Sequence, residues 1–300
     1  MKVKDCDACI GCPQRELRPD NELIPPLMGP SLRLIVDEFP GEDEERVHEP
    51  LVGSRGRIFM GLARKAGVSR AEVSIVNVIS CRPVGDVYPK DHKITEHCVA
   101  HHLKPVLDAR PWTRIDAIDE HSLRVLTGKV EGIMKWRGSP LPLSGETRPR
   151  VIGVLDPLYL MKDSGMIPSF VSDLAKSVRV PEQHYNLQPT MEELDAFHPD
   201  ILYTDIETNR WTDEITMVGI ADRPYHVMVM PFRGPYIGQL KRIFLEAKQI
   251  VNQNIITFDL PHLATAGVVV RPDCKIWDIM LLHHLVEPNA PHDLEYIASL

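Results

Sequence analysis

No apolar run in the sequence approaches the roughly 18 residues a helix needs to span a bilayer. The N-terminus, MKVKDCDACIGC, also lacks an apolar core followed by a small-residue cleavage site. These absences exclude a helical membrane protein and a secreted one, and a cytoplasmic location is expected. Positive charge is scarce: 34 Lys and Arg against 42 Asp and Glu leave a net charge of -8 and a pI near 5.9. No chain-wide basic field draws in nucleic acid, so any DNA contact must come from local grooves or bound cations. Internal repeats and low-complexity tracts are missing as well, which excludes a solenoid.

What is present fits two ordinary domains, with 300 residues, 43% hydrophobic and 25% charged. In the first half, apolar runs at Leu32 to Val36, Val73 to Ile79, Ile115 to Ile118 and Val151 to Leu155 alternate with helical patterns. That alternation predicts an α/β domain. One helix carries Ile58, Phe59, Leu62, Ala63 and Ala66 on one face and should stop at Gly67. Around Arg179 to Pro199 the pattern fades into three prolines and mixed polarity, which reads as a linker with one short helix. Beyond it come a strand at ILYTDIE and two strand-like runs near Ile215 to Ala221 and Tyr225 to Met230, expected to form a meander. A helix is predicted from Tyr236 to Lys248, a strand at Gln249 to Asn254, and helices at Leu260 to Ala266 and Trp277 to Val286. The sequence runs out in an amphipathic helix without a stop signal, as expected of a piece of something longer.

Six cysteines, three of them inside CDACIGC, do not look like a secreted disulfide framework. Cys9 and Cys12 form a C-x-x-C clip, Cys81 and Cys98 lie far along the chain, and Cys6 and Cys274 are left over. A clip plus two distant thiolates suits either a four-iron cluster or a structural zinc, and spacing alone does not choose. His97, His101 and His102, beside Cys98, would suit zinc.

Asp205 and Glu207 lie two apart on a predicted strand, so their side chains leave one face and can converge on a cation. Phosphodiester hydrolysis calls for such carboxylates, because a metal-activated water attacks and a second cation steadies the leaving oxygen. Mg²⁺ or Mn²⁺ prefers these hard oxygen ligands. Downstream, VNQNIITFDL places Asn254 and Asp259 after a buried strand, where a third carboxylate could reach the same ions.

Those two segments resemble the first two motifs of the 3′-5′ proofreading exonuclease domain of family A DNA polymerases. Asp205 and Glu207 match the first, and Asn254, Phe258 and Asp259 the second. The resemblance runs from about Asp200 to Leu300, and Asp278 falls at a further aspartate of the family. For Asp278 a helix N-terminal role favoured by the dipole is an equal reading. By this resemblance Asp205, Glu207 and Asp259 are catalytic metal ligands, Asn254 and Phe258 meet DNA, and the family's third motif would lie beyond Leu300.

The first half resembles the iron-sulfur (family 4) uracil-DNA glycosylases from about Cys9 to Asp163. The shared segments, in order, are the Cys9 and Cys12 clip, DEFPGEDEE, EPLVGSRG, VSIVNVISCRP, Cys98, WRG and LDPLYLMKD. The resemblance implies a 4Fe-4S cluster on Cys9, Cys12, Cys81 and Cys98, with Cys6 as a less well-spaced alternative to one of the clip residues. It gives Glu38 a role in placing the attacking water, although Asp37 replaces the family's glycine. It gives Asn77 the reading of the uracil edge. Leu51 falls where the family stacks an aromatic, a loss of about 1–3 kcal/mol. Asp156 replaces a histidine that would donate to the uracil anion, and an ionised aspartate would repel that anion. Arg55, Arg82 and Arg137 are expected phosphate contacts.

Taken together, the resemblances imply the N-terminal part of a phage or bacterial family A DNA polymerase, in a bacterial or phage-infected cell. Its fold would be a glycosylase-like three-layer αβα domain over residues 1–182, a linker over 183–198, and an incomplete ribonuclease H-like α/β exonuclease domain over 199–300. DNA, single-stranded or as a primer-template end, is the expected partner, and the polymerase domain would follow in the same longer chain. The alternatives are an active uracil-DNA glycosylase and a non-catalytic DNA-binding module.

Overall fold

The computed structural model describes residues 1–130, 132–144, 149–178 and 184–298. The four buried runs of the first half become strands β1 (Arg33–Asp37), β2 (Ser74–Asn77), β3 (Arg114–Ile118) and β5 (Arg150–Val154). A short β4 (Pro140–Pro142), not expected from the sequence, pairs antiparallel with β5 at the edge of a sheet ordered β2-β1-β3-β5-β4. All other pairings in that sheet are parallel. Every residue of β2 and β3 is buried. Continuous apolar runs of this kind suit a parallel sheet covered on both faces.

Leu34, Val36, Val76, Ile115, Ala117 and Val151 contribute to one core. Phe59 of the helix Ser54–Ala63 meets Phe170 of the helix Ile167–Ala175 edge to face, with ring centroids 5.6 Å apart. The first of these helices tightens into a 3-10 turn and stops at Gly67, whose φ of 73° is left-handed. Glycine takes that conformation without a Cβ clash, so the predicted stop stands. Since β1 lies between β2 and β3, the chain leaves it toward opposite sides. The loops beyond the C-terminal ends of β1 and β3 therefore part, which is where ligands enter open α/β sheets.

The chain divides into two compact units, Met1–Val180 and Pro181–Ala298. In the second, β7 (Ile201–Thr208), β8 (Ile215–Arg223) and β9 (His226–Pro231) form the expected antiparallel meander. Burial along β7 alternates, as a half-covered strand requires. β10 (Gln249–Asn252) and β11 (Lys275–Asp278) extend the sheet in parallel beside β7, and the full order is β11-β10-β7-β8-β9-β6.

Two sequence expectations need correction. Part of the supposed linker, 183–198, is β6 (His184–Leu187), paired in parallel with β9, followed by the helix Met191–Asp195. Tyr185 and Leu187 are exposed at 61% and 69%, so β6 is held by its backbone and shows no buried face in the sequence. Residues 179–183 lie outside the described residues. The helix predicted from Trp277 starts instead at Ile279, because Lys275–Asp278 pairs with β10 and Asp278 caps the helix. No described helix is long and apolar enough to cross a membrane.

Candidate functional site

Five of the six cysteines, Cys6, Cys9, Cys12, Cys81 and Cys98, are buried free thiols. Cys6 and Cys9 arrive on the N-terminal turns and Cys12 just before the helix Pro13–Leu17. Cys81 comes from the loop after β2 and Cys98 ends the helix His92–Cys98. Cys9 Sγ lies 3.3 Å from His102 Nε2. The ligating atoms of Cys6, Cys9 and His102 all fall within 4.8 Å of one another. Cys12 and Cys98 are hydrogen-bonded, an interaction that lowers Cys12 to about 6 and raises Cys98. Burial pushes Cys9 up to about 12, with help from Cys6, and likewise Cys81. A bound cation would have to displace those protons, as thiolate ligation always requires. Among the three histidines, only His102 faces the thiols: His97 bonds the Ala8 carbonyl at 2.8 Å and packs against His101. A buried donor set this rich in sulfur fits an iron-sulfur cluster or zinc.

A second group of side chains gathers at the C-terminal edge of the first sheet. Asp37 ends β1, Asn77 ends β2, Asp119 follows β3, and Asp156 follows β5. Arg55, from the helix Ser54–Ala63, lies among the acids. Its Nη1 is 2.7 Å from Asp37 and 4.0 Å from Glu38, its Nη2 3.0 Å from Asp119, and its Nε 3.4 Å from Asp156. Glu38 also meets His121 Nδ1 at 2.8 Å, and His121 stacks on Tyr88 with centroids 4.1 Å apart. Burial raises Asp37 to about 6 against the pull of Arg55, and burial with the neighbouring Glu38 charge raises Asp119 well above the usual carboxylate range. Glu38 is lowered despite its burial, chiefly by the hydrogen bonds of His121 and Asp119. Asp156 caps the helix Pro157–Lys162 through the Leu158 amide at 2.6 Å. The side chain of Asn77 has neither amide atom hydrogen-bonded, although the residue is 3% exposed.

The third group lies in the second unit. The Asn252 amide donates to Asp205 Oδ1 at 3.3 Å and to Asp259 Oδ1 at 2.9 Å. β7 and β10 run side by side, with Val251 opposite Tyr203, and the helix Asp259–Thr265 starts beyond β10. That topology brings the two acids together. Burial first, then the Asp205 charge, raises Asp259 to about 6. Glu207 shares the exposed face of β7 with Asp205. Among the described residues, Glu207 forms no three-membered group of ligating atoms within 4.8 Å. Asn254 holds a φ of 57° and accepts a hydrogen bond from Thr257, while Phe258 is partly exposed and packs against His262. Asp278 accepts from the backbone amides of Asn254, Ile256, Met280 and Leu281, which makes it a cap.

Two expected phosphate contacts are corrected. Arg137 is 0% exposed and pairs with Asp173 at 3.1 Å, so it is part of the interior. Arg82 is held by Asp86 at 2.5 Å, Glu45 at 3.5 Å and Glu42 at 3.7 Å. Arg55 is taken up by the four acids already described. Leu51 does line the crevice, with a left-handed φ of 56°. Sequence reasoning missed Asn252, Asp119 and His121. Asn252, two residues before Asn254 at the end of a buried strand, was the most findable of these.

No protein-family model matches the chain. Among curated proteins it is 29% identical over 163 residues to the type-4 uracil-DNA glycosylase of Thermotoga maritima, covering 54% of this chain and 81% of that protein. The Pyrobaculum aerophilum type-4 uracil-DNA glycosylase is 30% identical over 98 residues, which cover 32% of this chain and 50% of that one. For the Sulfurisphaera tokodaii protein of the same description the figures are 29% over 110 residues, 35% and 49%. The chain thus spans about half the length of the latter two. Its N-terminal region resembles type-4 uracil-DNA glycosylase, as the order of motifs implied. Among solved structures, Brucella melitensis NrnC aligns at 23% identity and a TM-score of 0.29, covering 39% of this chain and 58% of that one. NrnC with bound Mg²⁺ aligns at a TM-score of 0.30. Nothing in the site chemistry depends on those two alignments.

Proposed function

We propose that the chain is a DNA-processing region of a replication protein, in which a glycosylase-like iron-sulfur unit binds DNA and a second unit is a metal-dependent 3′-5′ exonuclease of the proofreading kind. The observation that carries the nuclease reading is the sharing of one Asn252 amide by Asp205 and Asp259. Two carboxylates from separate segments are held close enough to raise the pKa of one of them, which is costly unless a cation is to be bound. Asp205, Glu207 and Asp259 would hold Mg²⁺ or Mn²⁺, which supplies Lewis-acid assistance to phosphodiester cleavage. Asn252 positions both acids, and Asp259 gives up its proton before it can act as a ligand. Asn254 and Phe258, beside Asp259, meet the DNA end. A family A polymerase domain in the same longer chain completes this reading.

In the first unit, Cys9, Cys12, Cys81 and Cys98 would hold a 4Fe-4S cluster, with Cys6 as the alternative. Bound there, it ties the N-terminal turns to the loop after β2 and the helix His92–Cys98. The test of the nuclease is shortening of a 5′-labelled single strand from its 3′ end in Mg²⁺, lost in Asp205→Ala. Cleavage that survives Asp205→Ala and Asp259→Ala together contradicts it.

A second reading, a working uracil-DNA glycosylase, is favoured by one observation, the unpaired amide of Asn77. Four acids around Arg55 count against it, since a leaving uracil anion would develop beside negative charge. Release of free uracil from a uracil-containing single strand decides between them.

A further inference from the structure

The crevice at the C-terminal edge of the first sheet is lined by acceptors. Asp37, Glu38, Leu51, Arg55 and Asp156 border a cavity of about 430 Å³, and Asp119 reaches Arg55 from behind. One guanidinium faces four carboxylates, and His121 adds positive charge only when protonated. The donors of Arg55 are thus turned toward the protein's own acids. Asp156 uses Oδ1 for both the Leu158 amide and Arg55, which leaves Oδ2 as an acceptor for a ligand.

An independent feature points into the same space. Asn77 pairs in register with Asp37 on the neighbouring parallel strand, so the two side chains leave the same face of the sheet. Both atoms of its amide are buried and unpartnered. Buried polar groups are normally satisfied, and a side chain with one free donor and one free acceptor is suited to reading the edge of a flat heterocycle.

We propose that this crevice binds a nucleobase carrying an exocyclic amino group, cytosine- or adenine-like, in preference to uracil or thymine. The inference rests on reading this unit as a base-binding, glycosylase-like module. Uracil and thymine present a carbonyl oxygen where cytosine and adenine present an amino group, and a carboxylate accepts from the amino group but repels the carbonyl. Asn77 can pair with either kind of base, because its amide both donates and accepts. The choice therefore falls to the acids, Asp156 foremost.

The test is equilibrium binding of the full, cluster-loaded chain to short labelled single strands of abasic spacers with one central base, in EDTA so that no hydrolysis occurs. A strand with central cytosine or adenine should bind about tenfold or more tightly than one with uracil. Asp156→Asn keeps a helix-capping side chain while exchanging an acceptor for a donor, and it should move the preference toward uracil. Asn77→Ala should weaken every base-containing strand. Uracil binding as tight as cytosine and adenine overturns the preference and leaves the base-binding reading standing. Affinity no greater than for an all-abasic strand overturns both. A preference unchanged by Asn77→Ala and Asp156→Asn places it elsewhere and overturns the proposal.

Discussion

The Asn252 amide donates to Asp259 at 2.9 Å, and the same nitrogen lies 3.3 Å from Asp205. Asp259 is 2% exposed and sits at the first turn of its helix. Two acids that would repel each other are joined by one neutral donor and by the proton Asp259 retains. A divalent cation can replace that proton and satisfy both.

Cation affinity should accordingly depend on pH. The folded pKa of Asp259 is raised to about 6 by burial and by Asp205, so protons compete with metal below that value. Affinity should rise about tenfold per pH unit up to this point and level off above it. Without cation the sign is opposite for stability: the folded chain holds a proton the unfolded chain releases, so stability falls as pH rises from about 4 toward 6. Calorimetric Mn²⁺ titrations at several pH values check the first statement, and Asp259→Asn should flatten the profile.

The thiol cluster predicts an unequal response to serine. Cys81→Ser and Cys98→Ser, which remove the ligands from the two distant segments, should abolish bound iron and visible absorbance. Cys6→Ser should keep them. Iron analysis of anaerobically purified variants reads the outcome, and loss of iron in Cys6→Ser with retention in Cys12→Ser would exchange the two roles.

The Arg137 and Asp173 pair should matter for stability. Both side chains are fully buried, and burial raises Asp173 to about 7 even beside Arg137. Removing one partner leaves the other uncompensated, so Asp173→Ala should cost about 3–5 kcal/mol in denaturant unfolding. A change below 1 kcal/mol, about the value of an exposed pair, would contradict the assignment.

Much of the framework was legible because its signals are local. Unbroken apolar runs gave β1, β2, β3 and β5, and the two-residue spacing of Asp205 and Glu207 put them on one face of β7. The strand β6 was not legible, because HYNL has no buried face and pairs only through its backbone. The capping box at Thr190 and Glu193 was readable and marks the helix that follows it. Arg137 was misread because sequence does not reveal whether an arginine is buried against a distant Asp173. Arg55 was likewise recognised as important but given the wrong partners. Its four acids come from the ends of β1, β3 and β5, and only the strand order brings them together. Asn252 escaped notice because its role exists only once β7 and β10 are neighbours.

The most direct test of the account is the anomalous difference map of crystals soaked in Mn²⁺. A peak should appear between the carboxylates of Asp205 and Asp259, at about 2.0–2.3 Å from oxygen, and vanish in Asp259→Asn. Saturating Mn²⁺ with no peak at that pair would contradict the nuclease reading.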